Sequence, residues 1–291
     1  MNNRRSFLSL SPTELDRLAD GFDHLFAKGR IATYADLHEE GWRRIHRGPA
    51  FLPWHRWFLV HVERELREFD SRISLPFWDW TKPAARDLER EPWKSFFGGR
   101  ANSGGRFDHW GYSRGRVAGT PELGIRATVV MELQALSYAD FRRMEFGSHV
   151  GGHTWTGGTM ASPRSPEDPL FYLHHCMVDR MWALWQCLQS GVPQYSLDDN
   201  GTARYDESFV PKDSYMFSGP LGDPATPASM LNYRALGYGY EATWSTRTIC
   251  EGALGLSPPL QLAKSLVKPA GVASSLRESL YAVARPQESL G

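Results

Sequence analysis

The sequence predicts a mainly helical fold with long irregular connections and a few short strands. Apolar residues recur at helical spacing in several segments, whereas the stretches between them are rich in Gly, Pro and Ser. The chain has 291 residues, of which 13% are aromatic. It is therefore long enough to bury a core packed by large rings without disulfides or structural zinc.

Five segments are predicted to be helical. Ser11 and Pro12 are typical of a helix start, and four apolar residues then follow on one stripe up to Phe26. Gly48 and Pro49 break the helical pattern that precedes them. In chain order, the predicted helices cover residues 12–28, 34–44, 54–69, 137–145 and 169–189.

The remaining segments are predicted to be irregular. Residues 71–80 are expected to form a buried loop, 82–127 an irregular stretch, and 147–169 a Gly-, Ser- and Pro-rich loop region that begins with a histidine pair. Short strands are expected within 236–243. From residue 257 the chain is rich in Pro, Ser and Leu, so 257–291 is expected to be a docked or disordered tail.

Composition and charge exclude several classes of protein. Lys and Arg together number 33, as do Asp and Glu, so the formal net charge is zero. Nucleic acid is therefore not expected as a partner, because binding to phosphates requires a basic excess. No apolar run approaches the roughly 18 residues of a membrane span. The three cysteines are too few and too scattered for a disulfide framework or a thiolate metal site.

The N-terminus leaves two interpretations of location. Arg4 and Arg5 resemble a twin-arginine export signal, but a helix start follows where such a signal has an apolar region. We therefore expect a cytoplasmic protein, with export as the alternative.

The histidines are the strongest sign of chemistry. Three lie within eighteen residues, and two more stand four apart, which places both imidazoles on one face of a helix. A double histidine follows early in the last strong helix. Two all-imidazole sets without carboxylate or thiolate partners indicate copper, zinc, nickel or iron, and two sets of three suit a dicopper centre. The single histidines His24, His61 and His109 are instead expected to be hydrogen-bonded structural residues.

These residues stand in motifs that resemble the tyrosinase family. Residues 46–59, HRGPAFLPWHRWFL, are similar to the first copper signature of that family, and 168–182, DPLFYLHHCMVDRMW, are similar to the second. Residues 75–80 resemble a landmark between the two signatures. Residues 236–240 resemble the segment that closes the catalytic domain, which is consistent with a catalytic domain over residues 1–256.

The resemblance implies an antiparallel four-helix bundle that encloses two coppers and uses O2 as co-substrate. It implies that one copper is bound by His38, His46 and His55, and the other by His149, His153 and His175. His24 is the only histidine upstream that is an alternative to His38 as a ligand of the first copper. His174 then becomes a structural neighbour of the second site. A copper chaperone is a possible partner, as in other members of the family.

The expected reaction is oxidation of an ortho-diphenol or ortho-aminophenol to a quinone or quinone imine. Family members that also hydroxylate monophenols are thought to activate a water with a Glu and with an Asn directly after the first ligand of the second copper. Glu145 is a plausible match to that Glu, but Val150 stands at the Asn position.

Three alternatives stay open at this point. They are a true tyrosinase that hydroxylates monophenols, an oxygen carrier similar to haemocyanin, and a copper-free relative. Asp179, one turn beyond His175, is expected either to orient a ligand or to form a salt bridge with an Arg.

Overall fold

The computed structural model describes residues 2–99, 103–115, 123, 126–198 and 205–241. The predicted tail 257–291 and the proposed domain boundary at 256 lie outside these residues. Within them the fold is mainly helical, and a parallel pair of three-residue strands joins the two ends of the described chain.

Ten α-helices and two strands form the frame in the described part of the chain. Strand β1 is Asn2–Arg4 and strand β2 is Tyr238–Tyr240. The helices are α1 (Pro12–Ala27), α2 (Arg30–Glu40), α3 (Trp42–Ile45), α4 (Phe51–Phe69), α5 (Pro83–Arg86), α6 (Trp93–Phe97), α7 (Arg126–Leu133), α8 (Tyr138–Phe141), α9 (Ser148–Thr156) and α10 (Leu170–Leu188).

Short 3-10 helices occupy many of the connections. They are Phe7–Ser9, Asp108–Trp110, Arg142–Glu145, Gly158–Ala161, Ser165–Glu167, Asp206–Ser208, Gly219–Leu221 and Ala228–Met230. None of the helices in the described ranges is long and apolar enough to cross a membrane.

The two longest helices, α4 and α10, pack against each other at the centre of the molecule. Most of their residues are buried, because α1 packs on α4 while α7 and α9 pack on α10. Rings fill the space between the elements, and seven of the largest fully buried side chains are tryptophans. The predicted mainly helical bundle with irregular connections is confirmed.

Local sequence explains where α1 begins. The Ser11 hydroxyl accepts a hydrogen bond from the Glu14 amide, and the Glu14 carboxylate accepts one from the Ser11 amide. Pro12 fills the first helical position, where an amide would lack a partner. The predicted helix 12–28 is therefore confirmed to within one residue.

Four local predictions need correction. The stretch 82–127, expected to be irregular, contains the short helices α5 and α6. The predicted helix 137–145 is the short helix α8 followed by a 3-10 helix.

The predicted helix 34–44 is two helices, α2 and α3, which Gly41 separates. The predicted loop region 147–169 contains the nine-residue helix α9 and two 3-10 helices. The glycines there suggested a loop, but Gly152 lies in α9 where a larger residue would collide with His174.

The buried loop 71–80 is confirmed. Leu75, Phe77, Trp78 and Trp80 are all buried without forming a helix, and the Trp78 amide donates to the Leu173 carbonyl of α10 at 3.0 Å. The strand predicted within 236–243 is β2, and its partner β1 was not predicted.

Candidate metal centre

Five helices position the seven clustered histidines. His38 lies in the last turn of α2, His46 directly follows α3, and His55 lies in the second turn of α4. His149 and His153 stand one turn apart on α9, and His174 and His175 lie in the second turn of α10. All seven are buried except His153, which is half-buried. The bundle thus brings together residues up to 137 positions apart in the chain.

The side chains form two sets. In the first, one ring nitrogen each of His38, His46 and His55 lies within 4.8 Å of the others, and the Nε2 atoms of His38 and His55 are 3.5 Å apart. In the second, His153 Nε2 lies 3.1 Å from His149 Nε2 and 3.3 Å from His175 Nε2.

These separations suit a metal ion. Nitrogen ligands at about 2.0–2.1 Å from a tetrahedral ion lie about 3.3 Å from one another. The two sets also adjoin, because the rings of His55 and His175 stack at 4.3 Å between centroids.

Main-chain carbonyls hold four of the six rings so that Nε2 faces inward. The Nδ1 atoms of His38, His55, His149 and His153 lie 2.6–3.0 Å from the carbonyls of Pro163, Phe51, Glu145 and Met160, in that order. A carbonyl oxygen can accept a hydrogen bond but cannot donate one. Each Nδ1 is therefore protonated, and each Nε2 lone pair is free for a metal.

The remaining two rings are held by stacking. Nδ1 of His46 and of His175 has no hydrogen-bond partner in the described residues. His46 stacks on Trp42 at 3.9 Å between centroids, and His175 packs on Phe171 at 4.2 Å.

Burial keeps these imidazoles neutral. It lowers the pKa of His38 to about 3 and that of His153 to about 4, and it lowers the pKa of the other four well below the usual range. Neutral imidazole is the form that binds a metal, and sets of nitrogen ligands alone favour copper among the available divalent ions. The residues present therefore fit two copper ions.

His174 adjoins the second set, but its geometry differs. Its Nε2 lies 3.0 Å from the His149 carbonyl and is therefore protonated, so only Nδ1 is left to accept or to ligate. Gly152 makes room for this ring, because a Cβ there would lie 2.1 Å from His174 Cε1. These contacts join α9 to α10 and agree with the expectation that His174 is a structural neighbour of the second site.

The other three histidines lie outside both sets. His61 Nδ1 contacts the Trp57 carbonyl, His109 pairs with Asp23 at the surface, and His24 packs on Phe69. His61 thus fits the expected hydrogen-bonded core histidine, whereas His109 is exposed and His24 is only half-buried.

Glu145 and Val150 lie beside the second set. The Glu145 carboxylate is buried, and its Oε1 accepts a hydrogen bond from the Arg47 amide at 2.7 Å. Its Oε2 has no partner among the described residues. Burial raises the pKa of Glu145 to about 8, although the Arg47 amide and the charges of Arg142 and Arg47 oppose this. Val150 follows His149 on α9 and is half-buried.

Asp179 forms salt bridges rather than binding a histidine. Its carboxylate contacts Arg56 at 2.5 Å and Arg4 at 3.2 Å, and it accepts hydrogen bonds from the hydroxyls of Tyr238 and Tyr240. The salt-bridge alternative is therefore correct.

Sequence reasoning missed the groups that orient the rings. Pro163 and Met160 contribute main-chain carbonyls, which every residue has, so no side-chain signal reveals them. Arg4 is also a fully buried structural residue, although its sequence context suggested an export signal.

Comparison with known proteins agrees with this arrangement. The family model for the common central domain of tyrosinase matches residues 24–122 and 122–188, more than half of the chain. The chain belongs to the tyrosinase family. It is 33% identical over 230 residues to the tyrosinase of Streptomyces antibioticus, and the alignment covers 64% of this chain and 83% of that protein. It is 27% identical over 267 residues to the grixazone synthase of Streptomyces griseus, covering 66% and 86%.

Solved structures with low sequence identity share the fold. A polyphenol oxidase from Thermothelomyces thermophila superposes with a TM-score of 0.62 at 19% identity, covering 83% of this chain and 89% of that one. A functional unit of octopus hemocyanin gives 0.60 at 21% identity, covering 88% and 73%.

This tyrosinase-family chain is therefore a copper-dependent oxidoreductase with a type 3 dicopper centre, O2 as co-substrate and a phenolic substrate. The oxygen-carrier alternative is not favoured. The family model that matches is that of tyrosinase, and the Streptomyces antibioticus tyrosinase, a short protein of similar extent, matches over 83% of its length.

Proposed function

We propose that this chain oxidises ortho-diphenols or ortho-aminophenols and that six of its histidines bind the two coppers. The proposed ligands are His38, His46 and His55 for the first copper, and His149, His153 and His175 for the second. The convergence of one ring nitrogen from each histidine, with Nδ1 of four rings held by carbonyls, is the observation that supports this assignment.

When bound, the two coppers supply the electron transfer by which one O2 takes four electrons from two ortho-diphenols, giving two quinones and two waters. The protein's part is to keep the imidazoles neutral, oriented and adjacent. A tightly packed aromatic shell surrounds them, so the rings have little freedom to turn away.

The preference for ortho-substituted substrates rests on Val150. An ortho-diphenol already carries both oxygens, so only electrons and protons leave it. A monophenol must also be hydroxylated, and loss of its proton is aided by a positioned base. Valine has only hydrocarbon beyond its backbone, so it cannot hold a water for that purpose.

Oxidase assays with three matched substrates test the proposal. The purified copper-loaded chain is given a monophenol, the corresponding catechol and the corresponding ortho-aminophenol, and quinone or quinone imine formation is followed. Base assistance is typically worth about 10²–10⁴ in rate. We expect the monophenol to react at least about 100-fold more slowly than the other two. Equal rates for monophenol and catechol would contradict the proposal.

A true tyrosinase is the second candidate, and Glu145 favours it. Its Oε2 is buried without a partner in the described part of the chain, so it could anchor a water without Val150. Appreciable monophenol hydroxylation that disappears in Glu145→Gln would support this candidate instead.

Further proposals concern the rest of the protein. We propose that the catalytic unit ends near residue 256 and that 257–291 is a separate tail, which limited proteolysis tests by leaving an active core of about that length. We also propose a cytoplasmic location, which cell fractionation tests. Copper uptake by the purified apoprotein from free copper would show that a chaperone is dispensable.

A further inference from the structure

The backbone beside His46 has an unusual conformation. Arg47 directly follows this histidine and has a φ of 57°, in the left-handed region that side-chain-bearing residues rarely adopt. Among the described residues it is the only one other than glycine with such a φ. A strained conformation of this kind persists only where its surroundings fix it.

The Glu145 carboxylate is the group that fixes it. Glu145 Oε1 accepts a hydrogen bond from the Arg47 amide, with an N···O distance of 2.7 Å, and the carboxyl group is buried, so little water competes for that amide. A buried amide that loses its acceptor incurs the full cost of an unsatisfied donor, so this contact is expensive to break. The left-handed turn after His46 is therefore held by a residue 98 positions further along the chain.

Within the described part of the chain, His46 lacks the carbonyl contact at Nδ1 that orients the rings of four of the other ligands. Its ring is placed by the stack on Trp42 and by the direction in which its backbone leaves α3. A change at Arg47 would alter that direction.

The same glutamate also contacts the second set, by a different group. The Glu145 main-chain carbonyl lies 3.0 Å from His149 Nδ1. One residue thus holds the neighbour of His46 with its side chain and contacts His149 of the second set with its main-chain carbonyl.

We propose that Glu145 is a positioning residue that fixes His46 for the first metal through the Arg47 amide. This role is separate from any part that Glu145 Oε2 plays toward substrate. The proposal predicts that the two metal sites respond differently to a change of this side chain. Replacing it removes the hydrogen bond that supports the first set, but leaves the main-chain carbonyl that contacts His149 in place. Loss of a group that orients a metal ligand typically lowers metal affinity about 10- to 100-fold.

The experiment measures copper binding without substrate. Each apoprotein is titrated with Cu(II) against a competing chelator, and bound copper per chain is measured by atomic absorption. Glu145→Gln keeps an oxygen acceptor for the Arg47 amide, whereas Glu145→Leu of similar size does not. Glu65→Leu is the matched control, since Glu65 pairs with Arg30 on another face of the bundle.

Single-site backgrounds locate the effect. His149→Ala should leave one copper in the first set, and adding Glu145→Leu should weaken it about 10- to 100-fold. His46→Ala should leave one copper in the second set, and adding Glu145→Leu should not change its affinity. Glu145→Gln should bind like the wild type in both backgrounds, and Glu65→Leu should do the same.

Two results would overturn the proposal. One is unchanged first-set affinity in Glu145→Leu, and the other is an equal loss in both sets. If the leucine does not fold, Glu145→Ala is used in the same comparison, because it also lacks the acceptor. Failure of the metal assignment itself is seen separately, as a wild-type chain that does not bind two coppers.

Discussion

Val150 is a single side chain on which the scope of the reaction is expected to depend. Replacing it with Asn adds an amide directly after His149, where it can hold a water together with Glu145 Oε2. We expect Val150→Asn to raise the monophenol rate, by up to about 100-fold, and to leave the catechol rate within about twofold. Parallel initial-rate assays check this. Val150→Leu is the control, and an equal rise in that variant would point to shape rather than hydrogen bonding.

The double histidine poses a second question at the scale of one residue. Nε2 of His174 contacts a carbonyl, whereas Nε2 of His175 lies 3.3 Å from His153 Nε2 within the second set. We therefore expect His175→Ala to lose one copper per chain and nearly all oxidase activity. His174→Ala should retain two coppers, although it removes a buried contact between α9 and α10. Atomic absorption decides, and copper loss in His174→Ala alone would reverse the assignment.

At the scale of elements, a buried charge network joins β1, α4, α10 and β2. Burial alone would raise the pKa of Asp179, but the charges of Arg56 and Arg4 and two tyrosine hydroxyls lower it overall. Removing one partner of a buried pair typically costs about 3–5 kcal/mol. We expect Asp179→Asn to lower the free energy of unfolding by about that amount, measured by denaturant titration. Asp223→Asn, whose carboxylate is mostly exposed, should cost under about 1 kcal/mol.

The same network sets a pH dependence. Because the folded pKa of Asp179 is lowered, the folded state binds fewer protons than the unfolded state. Its stabilisation is therefore complete above the unfolded pKa of about 3.9 and is lost as the pH falls through the lower folded value. The stability difference between wild type and Asp179→Asn should be constant from pH 5 to 7 and shrink below pH 4. A constant difference down to pH 2 would contradict this.

The sequence predicted correctly those elements that are determined by residues close together in the chain. The ends of α1 follow from its capping residues, and the two signature segments carry their ligands in side chains that can be recognised. It failed for α9, because Gly151 and Gly152 have low helix propensity. Packing explains that helix, since the missing Cβ of Gly152 admits the His174 ring. It also failed for β1, a three-residue strand whose partner lies more than 230 residues away.

At the scale of the whole molecule, the two metal sites lie on two groups of helices that are far apart in sequence. The first set joins the segments from α2 to α4, and the second joins α9 to α10. The two adjoin where the rings of His55 and His175 stack. Copper bound to each set would therefore cross-link the segments that carry its ligands, on the two sides of that stack, and should stabilise the whole fold.

The gain can be estimated from linkage. A ligand that binds only the folded state at a concentration 1,000 times its Kd adds about 4 kcal/mol. For a chain of this size each kcal/mol shifts Tm by roughly 2–4 °C. We therefore expect removal of copper to lower Tm by about 8–16 °C, measured by calorimetry on apo and reloaded protein.

His109→Ala, at a surface histidine outside both sets, should show the full shift. His55→Ala should show a smaller one, because the second set alone still binds copper. Equal Tm values for apo and reloaded wild type would mean that the histidine sets do not bind copper tightly in the folded chain.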